Sequence, residues 1–181
     1  MQYHQQIQLK NGTVCTLQSP GPEDATAILR HMAVTSGETE NMLRYPEEFD
    51  MAVEEEAAYL DTILSSSDAI MIAAFVDGQI VANAGFNPVS SLTKCRHRAE
   101  LGISVRRKYW GCGIGSAIMA ALLAAARQAG YEQMELDVVS DNRRAIALYE
   151  AFGFRVYGTN ERGFRTRSGG YQSLLLMSCH L

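Results

Sequence analysis

The sequence predicts a mixed α+β fold, one β-sheet with helices on its faces, formed as a single domain over residues 1–181. Three observations carry that reading. The first is bulk: 181 residues, 47% hydrophobic and 20% charged, suffice to bury a core without covalent staples. The second is a pair of alternating segments closed by turn dipeptides in the first half, Asn11-Gly12 and Asp77-Gly78. The third is a β-α-β-α-β succession from Glu100 onward.

Taken in order, Ile7 and Leu9 alternate with polar residues, Asn11-Gly12 signals a type I′ turn, and Val14 to Leu17 returns as the second arm of a hairpin. Beyond Ser19-Pro20-Gly21-Pro22 a helix is expected, with Ala25, Ile28, Leu29 and Met32 on one face and Ser36-Gly37 at its end. A second amphipathic helix is predicted from Glu47 to about Leu64, its apolar positions Val53, Ala57, Leu60 and Leu64 opposed by a solvated Glu54-Glu55-Glu56 side. Ile70–Val76 and Ile80–Phe86 form a second hairpin around Asp77-Gly78, and Glu100–Val105 is a further strand. A glycine-rich turn, Trp110–Gly115, leads into an alanine-rich helix closed by Gly130. Strand Gln133–Val139 follows, then a helix from about Asn142 to Phe152, capped by Ser140 or Asp141 and stopped by Gly153. Two strands, near Phe154–Tyr157 and Tyr171–Met177, flank a polar loop rich in Arg and Gly.

A net charge of −4 speaks against broad binding to nucleic acid or membrane surfaces. Cys15, Cys95, Cys112 and Cys179 are scattered, without a C-x-x-C pair or a histidine at zinc-ligand spacing, so no metal site and no disulfide framework is expected. That usage fits a reducing, cytoplasmic compartment. No apolar leader and no stretch of about 20 apolar residues is found.

The chemistry concentrates in Val105-Arg106-Arg107-Lys108-Tyr109-Trp110-Gly111-Cys112-Gly113-Ile114-Gly115-Ser116, where a predicted strand runs straight into a predicted helix. Alternate glycines let a ligand approach the backbone and turn N–H groups inward, and the helix start adds unpaired donors and the positive end of its dipole. That combination binds phosphate, with Arg106, Arg107 and Lys108 available for charge-assisted contacts. The plain alternative is a tight strand-to-helix connection. Gly115 is followed by Ser116-Ala117 with no lysine, which is not a Walker loop, and G-x-G-x-G is not the dinucleotide fingerprint G-x-G-x-x-G. Further on, Asn142 and Tyr149 are seven apart, so a helix places them on nearly one face, two turns apart. Both can face one ligand; taken singly they also read as a capping amide and a half-buried core aromatic.

These segments together resemble the GCN5-related N-acetyltransferases, the GNAT family. The glycine turn is similar to that family's acetyl-CoA pyrophosphate motif, and Asn142–Phe154 to its N-x-x-A-x-x-L-Y-x-x-x-G-F motif, with Trp110 in place of the family's usual Arg or Gln. The resemblance covers roughly Ile7 to Met177 and implies a central twisted sheet, mixed but largely antiparallel, flanked by helices. It implies acetyl-CoA as cosubstrate, no metal, an amine acceptor of small-molecule or protein origin, and direct attack in a ternary complex. It further implies donor contacts from Ile103, Ser104, Val105, Lys108, Gly111, Cys112, Gly113, Ile114, Gly115, Ser116, Asn142 and Arg144. Tyr149 is then the acid for the leaving thiolate and Glu100 the base, with His97 a weaker alternative. The acceptor is expected among Glu38–Arg44, the Asn83 hairpin and the loop before Tyr171, with Glu38 and Glu40 to hold a cation. Small members of the family are commonly homodimers. A non-catalytic acyl-CoA-binding or sensing module on the same fold is the alternative, and a module taking another phosphate ligand a third.

Overall fold

The computed structural model describes residues 1–181. One eight-stranded sheet forms the frame, in the order β1-β2-β3-β4-β5-β6-β8-β7. Its strands are β1 (His4–Gln8), β2 (Val14–Gln18), β3 (Ile70–Val76), β4 (Gln79–Pro88), β5 (Arg98–Val105), β6 (Gln133–Val139), β7 (Arg155–Arg165) and β8 (Tyr171–His180). Every neighbouring pair is antiparallel except β5–β6. The helices are α1 (Ala25–Glu38), α2 (Val53–Ser65), α3 (Ile114–Gln128) and α4 (Arg143–Ala151). None is long and apolar enough to cross a membrane.

Strand alternation sorts the side chains into two layers. On one face Ile114, Ile118 and Leu122 of α3 and Ile146 of α4 close over Phe86, Met134, Leu136 and Phe154 in the main core. On the other, Ala25 and Ile28 of α1 and Leu60 of α2 close over Ala73 and Ile80. Each buried Ile, Leu or Phe contributes on the order of 1.5–3 kcal/mol relative to exposure, so the larger cluster sets the position of α3 on the sheet. Asp77 (φ 49°) and Gly78 (φ 73°) are both left-handed, the geometry of the type I′ turn. The first hairpin departs from expectation. Its loop is Leu9–Thr13, closed by the Leu9 N–H to Thr13 C=O bond at 2.8 Å, and Asn11 is not left-handed.

Three further expectations change. Pro46–Glu48 is a separate 3-10 turn, so α2 starts at Val53. The face of α2 turned inward carries Glu56, Leu60 and Ile63, so Glu56 is 4% exposed rather than solvated. The stretch expected as a loop before Tyr171 is mostly strand: β7 runs to Arg165 and pairs with β8 through two bulges.

Candidate active site

β5 and β6 pair only at Arg98–Glu100 against Gln133–Glu135. Past those three residues the sheet opens, while β5 continues to Val105 and β6 to Val139. β5 stays paired with β4 along this stretch, so the ladder is lost on the β6 side alone. Arg98 accepts from the Val89 N–H (3.0 Å) on the β4 side and His97 from Gln133 (3.1 Å) on the β6 side. That alternation turns the backbone of odd-numbered β5 residues toward β6. The N–H and C=O of Ile103 therefore face the opening. Ser104 turns its backbone to Asn83 of β4, and the Val105 carbonyl is taken by the Trp110 indole N–H at 2.6 Å. Of Ile103, Ser104 and Val105, the three β5 residues expected to contact the donor, Ile103 alone has both backbone groups free, although all three line the cleft.

The cleft encloses about 770 Å³. At one end lies the glycine turn. Gly111 (φ 77°) and Gly113 (φ 98°) adopt left-handed conformations that L side chains rarely take, and α3 starts after Gly113 without a side-chain cap. Its first-turn N–H donors are thus left for a ligand. Gly111, Gly113, Ile114, Gly115 and Ser116 line the cleft; Lys108 and Cys112 do not. The Lys108 ammonium sits over the Tyr109 ring, 5.6 Å from its centroid. The Cys112 thiol turns back to the Trp110 carbonyl, and its own carbonyl accepts from the Lys10 N–H at 3.2 Å. That bond brings Lys10, on the β1–β2 loop, into the lining. Nothing local in the sequence marks Lys10, because it reaches the site from about a hundred residues away. Arg144 and Arg107 both stack on Trp110, their guanidinium carbons 5.0 Å and 5.5 Å from a ring centroid. Neither has a carboxylate partner, the two ion pairs being Arg98–Glu135 and Arg167–Glu47.

At the opposite wall Asn142, rather than Ser140 or Asp141, caps α4, its Oδ1 accepting from the Ala145 N–H at 3.3 Å. Two turns on, Tyr149 lines the cleft, is 6% exposed, and packs on Phe154 with centroids 5.9 Å apart. Burial pushes its phenol up to about 12. Glu100 lines the floor, its carboxyl raised by burial and then by the charges of Asp137 and Glu135. Asp137, also in the lining, is raised by burial and by Glu135. Glu135 itself is held down by Arg98, bonded to it at 2.5 Å and 2.8 Å. The period-two pattern of β6 already puts Asp137 on the Glu135 face. His97 stays outside the lining.

The acceptor side differs in detail from expectation. Thr39, Asn41, Met42 and Leu43 line the cleft, whereas Glu40 and Asn83 do not. The Glu38 carboxylate accepts from the Arg107 N–H at 2.6 Å and so fastens the end of α1 to the turn after β5. From the far side comes Phe164, within the stretch expected before Tyr171 but on strand β7 rather than in a loop. Beyond β7, Arg167 stacks on Tyr45 at 3.8 Å and pairs with Glu47, outside the cleft lining.

The defining geometry of the site is thus a strand pair splayed beside an uncapped helix start. Residues 35–154 match the Acetyltransferase (GNAT) family, and the chain belongs to that family. It is 28% identical over 108 residues to the L-amino acid N-acetyltransferase AaaT of Escherichia coli strain K12, covering 59% of this chain and 65% of that protein. To the [ribosomal protein bS18]-alanine N-acetyltransferase of Haemophilus influenzae it is 29% identical over 79 residues, 44% of this chain and 53% of the relative. The matches thus span between about half and just under two thirds of these relatives. Among solved structures, a GNAT-family acetyltransferase of Streptococcus pneumoniae superposes with a TM-score of 0.88 at 25% identity, over 92% of this chain and 99% of its own. yncA of Salmonella typhimurium, solved with acetyl-CoA, gives 0.79 at 20% identity over 92% and 94%, a likeness of fold.

Proposed function

We propose that the protein transfers an acetyl group from acetyl-CoA to a primary amine of a small molecule or of a protein or peptide. The observation that carries this reading is the opening between β5 and β6, with an unpaired strand edge at Ile103, an uncapped α3 start at one end and a buried tyrosine on the opposite wall. These residues fit the donor. Gly111, Gly113, Ile114, Gly115 and Ser116 present backbone donors to its pyrophosphate, with Arg144 beside them, and Ile103 pairs with its amide arm as an added strand would. Lys108 and Cys112 act only through the shape of the turn, and Asn142 through the start of α4.

Acetyl-CoA supplies an acyl carbon activated by a thiolate leaving group. The chain's residues supply the protons. At pH 7 about one α-amine in ten is neutral, but only one lysine amine in several thousand. Glu100, whose carboxyl is raised by burial and by Asp137, is the base that takes the amine's proton, directly or through water. Tyr149 stays protonated throughout the working range and donates a hydrogen bond to the departing sulfur, which at a thiol value near 8.5 leaves as a stabilised thiolate and takes its proton late. An N–H of β5 supports the developing oxyanion. A cytoplasmic location, in keeping with four unpaired cysteines, and a homodimer belong to the same reading.

Thermal unfolding with acetyl-CoA, CoA, ATP and NAD titrated separately tests the donor. Binding to the native state raises stability as RT ln(1 + [L]/Kd). The expected result is a shift with the two CoA ligands only; a larger shift with ATP or NAD contradicts the proposal.

A further inference from the structure

Gly102 is the one position of β5 whose residue type the fold does not explain. It lies mid-strand between Leu101 and Ile103, has no left-handed φ, and a Cβ built on it meets nothing within 4 Å. A strand-interior glycine weakens a strand, and where neither a bend nor a packing clash requires it, it marks the close approach of something else. Here the space above it opens into the cleft.

The neighbours on the same face of the strand are Glu100 and Ser104, about 6–7 Å away along the chain on either side. Both line the cleft. The Ser104 hydroxyl has two protein partners, His31 Nε2 at 2.9 Å and the Asn83 carbonyl at 3.4 Å. If His31 accepts at Nε2, the hydroxyl proton points to His31. If His31 donates there, the proton points to the Asn83 carbonyl. In both tautomers the hydroxyl proton is directed inward and an oxygen lone pair is left toward the cleft. His31 is 2% exposed on α1, and the adjacent turn of the helix is held by the Thr35 hydroxyl, which donates to the carbonyls of His31 (3.0 Å) and Met32 (3.1 Å). Burial, with the charge of Arg106, pushes His31 down to about 4, so the ring is neutral whenever Ser104 needs it.

We infer that the slot over Gly102 seats the acceptor nitrogen, with the Ser104 hydroxyl, oriented by His31, accepting one N–H and the Glu100 carboxylate facing another. Ser104 thereby contacts the acceptor, not the donor, and His31 is a positioning residue acting through it. A seat offering only hydrogen-bond acceptors selects a donor-rich nitrogen, a primary amine, over a hydroxyl or a tertiary amine. The inference rests on the acetyl-transfer reading and deepens it.

The test uses the full-length protein, acetyl-CoA, and a panel of L-amino acids and short peptides with free N-termini, with thiol release as the readout. Gly102→Ala fills the slot without a clash and is expected to lower kcat/KM for the amine at least tenfold while acetyl-CoA affinity stays within twofold. Ser104→Ala raises KM for the amine about three- to tenfold, the size of one hydrogen bond. His31→Leu reproduces that change, and the Ser104→Ala/His31→Leu pair is no worse than Ser104→Ala alone, a non-additivity that general loosening of α1 does not produce. His31→Gln, which keeps a partner for Ser104, restores most of the affinity. If the wild type is active and both Gly102→Ala and Ser104→Ala keep kcat/KM within twofold, the seat lies elsewhere. Loss of acetyl-CoA affinity in Gly102→Ala also overturns the inference, because Gly102 then serves the donor. A wild type that binds acetyl-CoA but releases no thiol with any amine refutes the transferase reading instead.

Discussion

In the proposed reaction, single side chains set the proton traffic in the cleft. A phenol buried to 6% exposure and pushed up to about 12 donates only when a strong acceptor forms beside it. Tyr149→Phe is expected to reduce kcat about 10- to 100-fold, at or below the usual range for a positioned acid, with acetyl-CoA affinity unchanged. Steady-state kinetics beside a binding titration checks this, and a non-catalytic sensor shows no loss of function. Glu100 gives a signed pH prediction. Its carboxyl is raised by burial and by the charges of Asp137 and Glu135, so the acid limb of kcat/KM lies above the ordinary carboxylate range. Asp137→Asn removes one repelling charge and moves that limb to lower pH; a limb that stays in place shows that another group controls it. Trp110 is the only tryptophan in the chain and carries both arginines at the glycine turn. Acetyl-CoA should therefore change the intrinsic tryptophan fluorescence, and Trp110→Ala should weaken acetyl-CoA binding by releasing Arg144.

Among the elements, α2 carries a conflict that stability measurements can read. Glu56 shares its inward face with Leu60 and Ile63, and its Oε1 has no partner. Burial raises its carboxyl above the unfolded value. The native state thus holds that proton more tightly than the unfolded chain, and stability falls as pH rises from the ordinary carboxylate range through the raised value. Glu56→Gln should raise Tm by about 2–4 °C near pH 7, a gain of about 1 kcal/mol, and the gain should vanish near pH 4 and below. The sequence made α2 legible but rotated its face, because three consecutive glutamates read as a solvated edge. The spacing of Glu56, Leu60 and Ile63 already held the answer. β7 was illegible for a different reason: from Gly158 to Arg165 it is largely exposed at the sheet edge, without the alternation of a covered strand. Pairing with β8 creates it. Where turn chemistry is local, as at Asp77-Gly78, the sequence sufficed.

For the molecule as a whole, the sheet does the positioning. Ending the β5–β6 ladder at Glu100 leaves Ile103 unpaired, while α1 and α3, packed on opposite faces, bring the Ser104 partner and the glycine turn to the same gap. The glycine turn and the Asn142–Tyr149 face were legible because each lies within a single contiguous segment. Lys10 and Thr35 were not, because each arrives from a distant element and carries no signal of its own, whereas Met42 and Phe164 lie in segments expected to line the acceptor side. Asp137 lies between these cases, on a readable strand beside a carboxylate whose role depends on a strand not adjacent in sequence. The most direct test of acetyl transfer is a time course in which free thiol and acetylated amine are quantified together, by thiol reagent and mass spectrometry, with the amine panel and acetyl-CoA. The expected result is one acetylated primary amine formed per thiol released, with no release when the amine is omitted. Binding of acetyl-CoA with neither product across the panel would contradict it and leave a ligand-sensing domain on the same fold.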